Sequence, residues 1–143
     1  MQEGEGMTGV IAGNHGGLLD EARASAWLNK RLPGAGVIHY SPITGGSSNL
    51  LFLVERDAQK FVLRRPPREK YDPTSHNMAR EVRLLQALVT TDVPHPRFVA
   101  FCDDAEVIGA PFLVMEHVDG FSPVGAFPEP FATCVFEADA PRF

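Results

Sequence analysis

Two segments of the chain repeat their apolar residues at the spacing of a helix. The first covers residues 18–32 and ends at a Pro-Gly pair, which cannot continue a helix. The second covers residues 73–88, where Met78, Val82 and Leu85 fall at i, i+4 and i+7. This spacing predicts two amphipathic helices, and each is followed by a different kind of pattern.

Five shorter segments hold the β-branched and aromatic residues typical of strands. Three follow the first helix and are joined by short turns, which predicts an antiparallel meander. Two follow the second helix, with residues 107–109 as a candidate extension of their hairpin. The order of helix, three strands, helix and two strands predicts an α+β domain. The predicted strands cover residues 37–43, 50–55, 60–65, 98–102 and 111–116.

Composition narrows the class of protein. A length of 143 residues suits one domain, and 44% hydrophobic with 22% charged residues is ordinary for a globular protein. The apolar runs are far shorter than the roughly 20 residues of a membrane helix, so no membrane partner is expected. A net charge of −5 argues against a broad nucleic-acid-binding face. The only cysteines, Cys102 and Cys134, exclude a disulfide framework and a Cys-based zinc site.

The two ends of the chain differ from its middle. Residues 1–17 are rich in glycine and lack the basic and apolar parts of a secretory signal, so we expect a disordered tail and a cytoplasmic protein. Residues 121–143 hold five of the ten phenylalanines and follow no helical or strand period. We therefore expect a folded domain over residues 18–120, between a loose start and an irregular Phe- and Pro-rich tail.

The glycine-rich turn and a basic cluster are the first candidates for chemistry. The turn, Thr-Gly-Gly-Ser-Ser-Asn at 44–49, can cradle phosphate oxygens with its backbone N–H groups or merely connect a hairpin. The basic cluster at 64–70 can be a solvated edge. However, side chains alternate along a strand, so Arg64 and Arg65 lie on opposite faces of the predicted sheet. One guanidinium should then lie over the core, where it needs an anionic partner.

Glu81 lies on the second predicted helix at the edge of its apolar face. No basic residue stands three or four positions away on either side, so no local helical ion pair is available. The carboxylate either turns toward solvent or meets a cation from elsewhere in the fold, preferably Arg64.

The last candidate is the segment 112–120, where an apolar strand runs into polar residues and a glycine. Its pattern alone indicates only a strand end.

Together these features resemble a known family. The sequences GGSSNL (45–50), FVLRRPP (61–67), His76 to Glu81 and GAPFLVME (109–116) are similar to the aminoglycoside phosphotransferase family. Within it, they most resemble phosphotransferase domains related to those fused to acyl-CoA dehydrogenases. The resemblance covers roughly residues 18–122. It implies a kinase-like small lobe: a five-stranded antiparallel sheet with one packed helix, preceded by an N-terminal helix and followed by an irregular tail.

The resemblance also implies ATP as the cofactor and a role for each matching residue. Arg64 takes the place of the strand lysine that holds the nucleotide phosphates in protein kinases, and Glu81 would orient it. Val62 would lie over the adenine with Met115 beside it. The remaining positions are Gly45, Gly46, Ser47, Ser48 and Asn49, which would cover the phosphates, and Glu116 and Val118, whose backbone carbonyl and N–H would pair with the adenine edge.

The catalytic part of the family is missing from the sequence. Phosphoryl transfer needs a base and Mg²⁺, which the family holds with a His-x-Asp loop and a later Asp. Neither pattern follows Gly120, where the remaining aspartate is Asp139. We therefore expect a nucleotide-binding lobe, truncated and inactive alone, which would meet Mg²⁺ and a small-molecule acceptor only with a second lobe. The alternatives are a non-catalytic nucleotide- or partner-binding module and a non-functional remnant. An uncovered lobe face also predicts a tail folded over it or self-association.

Overall fold

The computed structural model describes residues 17–44, 49–67 and 77–120, and these ranges contain two helices and five strands. Each strand begins and ends within one residue of its predicted position, so the predicted α+β fold is confirmed. No helix in the described ranges is long and apolar enough to cross a membrane. The elements are α1 (Glu21–Leu28), β1 (Ile38–Ile43), β2 (Leu50–Arg56), β3 (Gln59–Arg65), α2 (Asn77–Leu88), β4 (Phe98–Cys102) and β5 (Phe112–Glu116).

Helix α1 is shorter than the segment 18–32 predicted for it. The Asp20 carboxylate accepts a hydrogen bond from the Arg23 N–H at 3.0 Å, which caps the helix and sets where it begins. After Leu28 the chain turns, so the apolar residues that follow are not helical. Helix α2 ends at Leu88 as predicted, while most of its predicted first turn lies in the segment 68–76, outside the described residues.

The connection between β4 and β5 also differs from its prediction. Residues 107–109 do not extend the hairpin, because the chain makes a helical turn there. The Gly109 N–H donates to the Ala105 carbonyl at 2.7 Å, and Gly109 itself has a φ of 86°. A glycine adopts this left-handed conformation without the steric cost that a side chain would bring. The turn instead brings Ile108 into the core, where it is fully enclosed.

The five strands form one antiparallel sheet in the order β1-β2-β3-β5-β4, so β3 lies in the middle. Side chains that share a face line up across the three central strands. Leu53 lies opposite Val62, which in turn lies opposite Met115. Both faces of β3 are covered, since Phe61, Val62 and Leu63 are all buried. The central strand therefore contributes to two apolar layers.

The larger layer lies between the sheet and α1. Trp27 of α1 meets Phe112 of β5 edge to face, with ring centroids 5.0 Å apart. The Ser25 and Tyr40 hydroxyls are hydrogen-bonded at 2.9 Å and connect the same helix to β1. Burial raises the pKa of Tyr40 to about 12, so this phenol stays protonated at neutral pH. The core therefore holds α1 by packing and by a neutral hydrogen bond.

Arg65 is the one charged side chain that is fully enclosed among the described residues. Its position confirms the expectation that one of the two neighbouring arginines lies over the core. Nη1 donates to the carbonyl oxygens of Leu18 at 3.0 Å and Ile108 at 2.8 Å, and Nε donates to that of Pro66 at 3.1 Å. The guanidinium thus joins the chain before α1, the β4–β5 turn and the end of β3.

We predict that Arg65→Met destabilises the protein by about 3 kcal/mol, because three carbonyl oxygens at the core lose their donor. The neighbouring Arg64→Met is the matched control and should cost about 1 kcal/mol or less, because that side chain is part of a partly exposed ion pair. Urea unfolding followed by circular dichroism measures both values. Equal losses for the two variants would show that the enclosed guanidinium does not join these segments.

Candidate functional site

The second face of the sheet carries the candidate site. Two rows of side chains cross β2, β3 and β5 on this face. The first row is apolar and consists of Leu53, Val62 and Met115. In the second row, Arg64 lies between Leu51 and Leu113. Helix α2 packs on this face through Met78 and Val82, which contact Leu113. Arg64 therefore lies between apolar neighbours and directly beside a helix, while the ion pair of Glu55 and Lys60 lies at the far end of the same face.

Arg64 and Glu81 form an ion pair across this face. Arg64 Nη2 donates to Glu81 Oε1 at 3.1 Å, and Arg64 Nε lies 3.1 Å from Glu81 Oε2. Each side chain is 32% exposed, so the pair is partly shielded and still reachable from solvent. The predicted pairing is confirmed, and with it the choice of Arg64 over Arg65. The two contacts hold the Arg64 guanidinium against the Glu81 carboxylate on α2.

A third residue, Asn49, lies against the same guanidinium. A guanidinium has only donors, so the amide oxygen of Asn49 must be the atom that faces it. In that orientation the oxygen accepts from Arg64 Nη2 at 2.8 Å and from Nε at 3.1 Å. The family resemblance implied that Asn49 covers the phosphates, and neither it nor the sequence pattern indicated this contact. The site therefore contains a cluster of Asn49, Arg64 and Glu81, contributed by the residue just before β2, by β3 and by α2.

The chain after β5 leaves the sheet beside the apolar row. The Glu116 N–H donates to the Arg97 carbonyl at 2.8 Å, and the His117 N–H donates to the Lys60 carbonyl at 3.3 Å. These bonds anchor the backbone just beyond Met115. The next side chain, Val118, is 60% exposed. The segment 116–118 is therefore held in place at the edge of the face while its outer side stays open.

The structure brings together most of the described residues that the sequence singled out. Asn49, Arg64 and Glu81 form the polar cluster, and Val62 and Met115 are neighbours in register. Among the described residues, no group of His, Cys, Asp or Glu could hold a metal ion. The other predicted phosphate-loop residues, Gly45, Gly46, Ser47 and Ser48, lie outside the described residues.

An open groove lies on the same face of the sheet, on the other side of α2 from Glu81. It is lined by Ala79, Val82, Arg83 and Phe101, between α2 and β4. Successive residues of a helix are about 100° apart, which places Ala79 and Arg83 on the flank of α2 away from Glu81. None of the predicted site residues lines this groove, although Val82 both lines it and packs α2 against Leu113.

Comparison with known proteins decides the family. A family model described as "Phosphotransferase enzyme family" matches residues 39–132. This range contains the cluster around Arg64 and the five strands, apart from Ile38 at the start of β1. The chain belongs to this phosphotransferase enzyme family. The resemblance noted in the sequence is confirmed, and the phosphotransferase match spans both the described site and part of the segment after Gly120.

Individual relatives agree with this assignment. The chain is 37% identical over 107 residues to acyl-CoA dehydrogenase family member 11 of Rattus norvegicus, which covers 71% of this chain and 14% of the relative. It is 35% identical over 75 residues to family member 10 of Mus musculus, covering 52% of this chain and 7% of the relative. The chain thus spans a small part of the length of these curated relatives.

A solved structure gives the fold. A protein of Ralstonia eutropha JMP134, whose crystal structure carries the name aminoglycoside phosphotransferase, superposes with a TM-score of 0.60 at 33% identity. The match covers 72% of this chain and 29% of that one. The sheet and α2 of this phosphotransferase-family chain therefore form a kinase-like small lobe, as the resemblance implied.

We predict that Glu81→Gln lowers the unfolding free energy by about 0.5–1 kcal/mol, because it removes the charge from a partly shielded ion pair. Glu55→Gln is the matched control, since its partner Lys60 is more exposed, and it should have a smaller effect. The difference should shrink in about 1 M salt, where the screening length falls to about 3 Å. Urea unfolding at both salt concentrations measures it, and a salt-independent difference would contradict an electrostatic origin.

Proposed function

We propose that this chain is the nucleotide-binding lobe of a small-molecule phosphotransferase that moves a phosphoryl group from ATP to a hydroxyl. The observation that supports this most is the Arg64–Glu81 ion pair, with Arg64 between the apolar Leu51 and Leu113. A guanidinium held by a carboxylate keeps its remaining N–H groups in a fixed place, and guanidinium groups match phosphate oxygens well. Family membership supports phosphoryl transfer as the reaction class, and this geometry supports the binding of a nucleotide.

Arg64 is proposed to meet the α- and β-phosphates, with Glu81 as its orienting partner. The apolar row supports a site for the adenine ring, because Val62 and Met115 are adjacent in register and face the same side as Arg64. The carbonyl of Glu116 and the N–H of Val118 are proposed to pair with the adenine edge. The anchored backbone at 116–118 suits this role, since a fixed donor and acceptor orient a planar base.

The segment 45–48 is proposed to lie over the phosphates as the glycine-rich loop. Glycine and serine leave backbone N–H groups accessible, and such groups bind phosphate oxygens. Asn49, which directly follows this segment, contacts the Arg64 guanidinium through its amide oxygen. The proposed loop therefore ends beside the residue that would bind the phosphates.

We propose that this lobe binds the nucleotide and that a second lobe supplies the catalytic groups. Phosphoryl transfer is accelerated mainly by metal ions and by in-line positioning of the acceptor. The chain after Gly120 contains neither a His-x-Asp pattern nor a second aspartate beyond Asp139. We propose that these 143 residues hold nucleotide in the cytoplasm, and that an acceptor and Mg²⁺ are bound only where a second lobe is present.

A non-catalytic binding module is the second candidate, favoured by the exposed Val118 at the edge of the site. In that case the sheet face would hold nucleotide or a partner chain without turnover. The exposed Val118 beside the apolar row gives such a partner, including a second copy of the chain, a surface to contact. Genomic sequence downstream of Phe143 distinguishes the two, because a frame encoding a His-x-Asp loop would support the enzyme.

We predict that the chain binds ATP and that Arg64→Ala raises the Kd for ATP about 10- to 100-fold, the range expected for loss of charged hydrogen bonds. The Kd for adenosine should be unchanged, because adenosine has no phosphate. Arg97→Ala is the control, since that arginine lies on the exposed edge near Glu116. Isothermal titration calorimetry measures the Kd for ATP and the Kd for adenosine in the wild type and in both variants. An equal loss for ATP and adenosine would place the phosphates elsewhere.

We also predict that the purified 143-residue chain shows no phosphotransferase turnover, because the base and the metal ligands of the family are absent from its sequence. An assay that follows ADP release in the presence of Mg²⁺ and a panel of small alcohols measures this. Transfer of phosphate to any of these alcohols, lost in the Arg64→Ala variant, would contradict the prediction.

A further inference from the structure

We propose that Asn49 is a positioning residue for Arg64. Its amide oxygen restricts rotation of the guanidinium, so that Arg64 stays directed toward the proposed phosphate site. The inference rests on the proposed function for its consequence, and on the contacts of Asn49 for its geometry. Two short contacts, at 2.8 and 3.1 Å, join one amide oxygen to two nitrogens of the same guanidinium.

The register of the sheet explains why these two side chains meet. Leu51 lies directly opposite Arg64, and Asn49 stands two residues before Leu51, on the same face. Asn49 is therefore the diagonal neighbour of Arg64, at a separation that a long side chain can cross. The contact follows from the β2–β3 pairing, and the pairing also fixes the end of the glycine-rich segment relative to Arg64.

The charge balance explains why an amide suits this position. Arg64 and Glu81 together carry no net charge, because one guanidinium meets one carboxylate. A second carboxylate would make the cluster negative and would repel phosphate. The amide of Asn49 accepts hydrogen bonds without adding charge, so it orients the guanidinium and leaves its attraction for anions in place.

The choice of atoms explains why the cation is an arginine. Glu81 and Asn49 both contact Nε and Nη2, a pair of donors that a lysine does not possess. Neither contact uses Nη1. Holding one edge of the planar group leaves its other end at a defined orientation, and that end is the part we assign to phosphate. Asn49 thus accounts for the arginine at a position where protein kinases carry lysine.

The first experiment follows the Arg64 side chain itself. The Nε–H signal of Arg64 in a ¹⁵N spectrum is assigned by its loss in Arg64→Lys, and its exchange with water is then measured in Asn49→Ala. We expect exchange about tenfold faster than in the wild type, the scale of one lost charged hydrogen bond. Asn29→Ala, which changes an exposed asparagine at the end of α1, is the control and should leave the rate unchanged. An unchanged rate in Asn49→Ala overturns the proposal.

The second experiment measures the consequence for phosphate. Asn49→Ala should raise the Kd for ATP about tenfold and leave the Kd for adenosine unchanged. Asn49→Asp keeps an acceptor beside Arg64 and should keep its Nε–H protected, yet it should weaken ATP binding further because it adds a negative charge. A merely structural role predicts instead that Asp restores ATP binding, and that result would overturn the assignment to phosphate.

The two experiments separate this inference from the proposed function. If the wild type binds ATP no better than adenosine, the nucleotide role of Arg64 is wrong, while faster Nε–H exchange in Asn49→Ala still supports Asn49 as the residue that positions Arg64. If the wild type prefers ATP and Asn49→Ala keeps both the exchange rate and the ATP affinity, the nucleotide role stands and the positioning role is wrong.

Discussion

The alternation of side chains along β3 is the constraint on which both the core and the site depend. β3 is the central strand, and its last two residues are arginines that must point to opposite faces. Arg65 enters the core and donates to three backbone carbonyls, while Arg64 faces α2 and meets Glu81. A shift of one residue in this strand would exchange the two guanidinium groups and disrupt both sets of contacts.

The site is consequently supported from three directions. The sheet places the cation between Leu51 and Leu113, the register brings Asn49 alongside it, and α2 supplies the carboxylate. Packing of α2 against β4 and β5 keeps that carboxylate at the correct distance. Orientation of the guanidinium is therefore a property of the folded lobe itself. The phosphate-binding role proposed for Arg64 requires such preorganisation.

Sequence reasoning predicted what depends on local pattern and missed what depends on register. The strands and the pairing of Glu81 with Arg64 were predictable, because alternation and the lack of a local cation on α2 are visible in the sequence. The contact of Asn49 was not, since it depends on which residue of β2 lies opposite Arg64. The turn at 107–109 was mistaken for a strand extension, because apolar residues in a helical turn and in a short strand look alike. The start of α1 was set by the Asp20 cap, which the apolar pattern does not reveal.

The most direct test of this account is a titration of the ¹⁵N-labelled chain with ATP, followed by NMR. The account predicts that the largest shift changes occur at the Arg64 Nε–H and at the backbone amides of Val62 and Val118, which all belong to the proposed nucleotide site. Changes confined to the opposite face, for example at the Trp27 indole beside α1, would contradict it. The absence of any change at saturating ATP would contradict it as well.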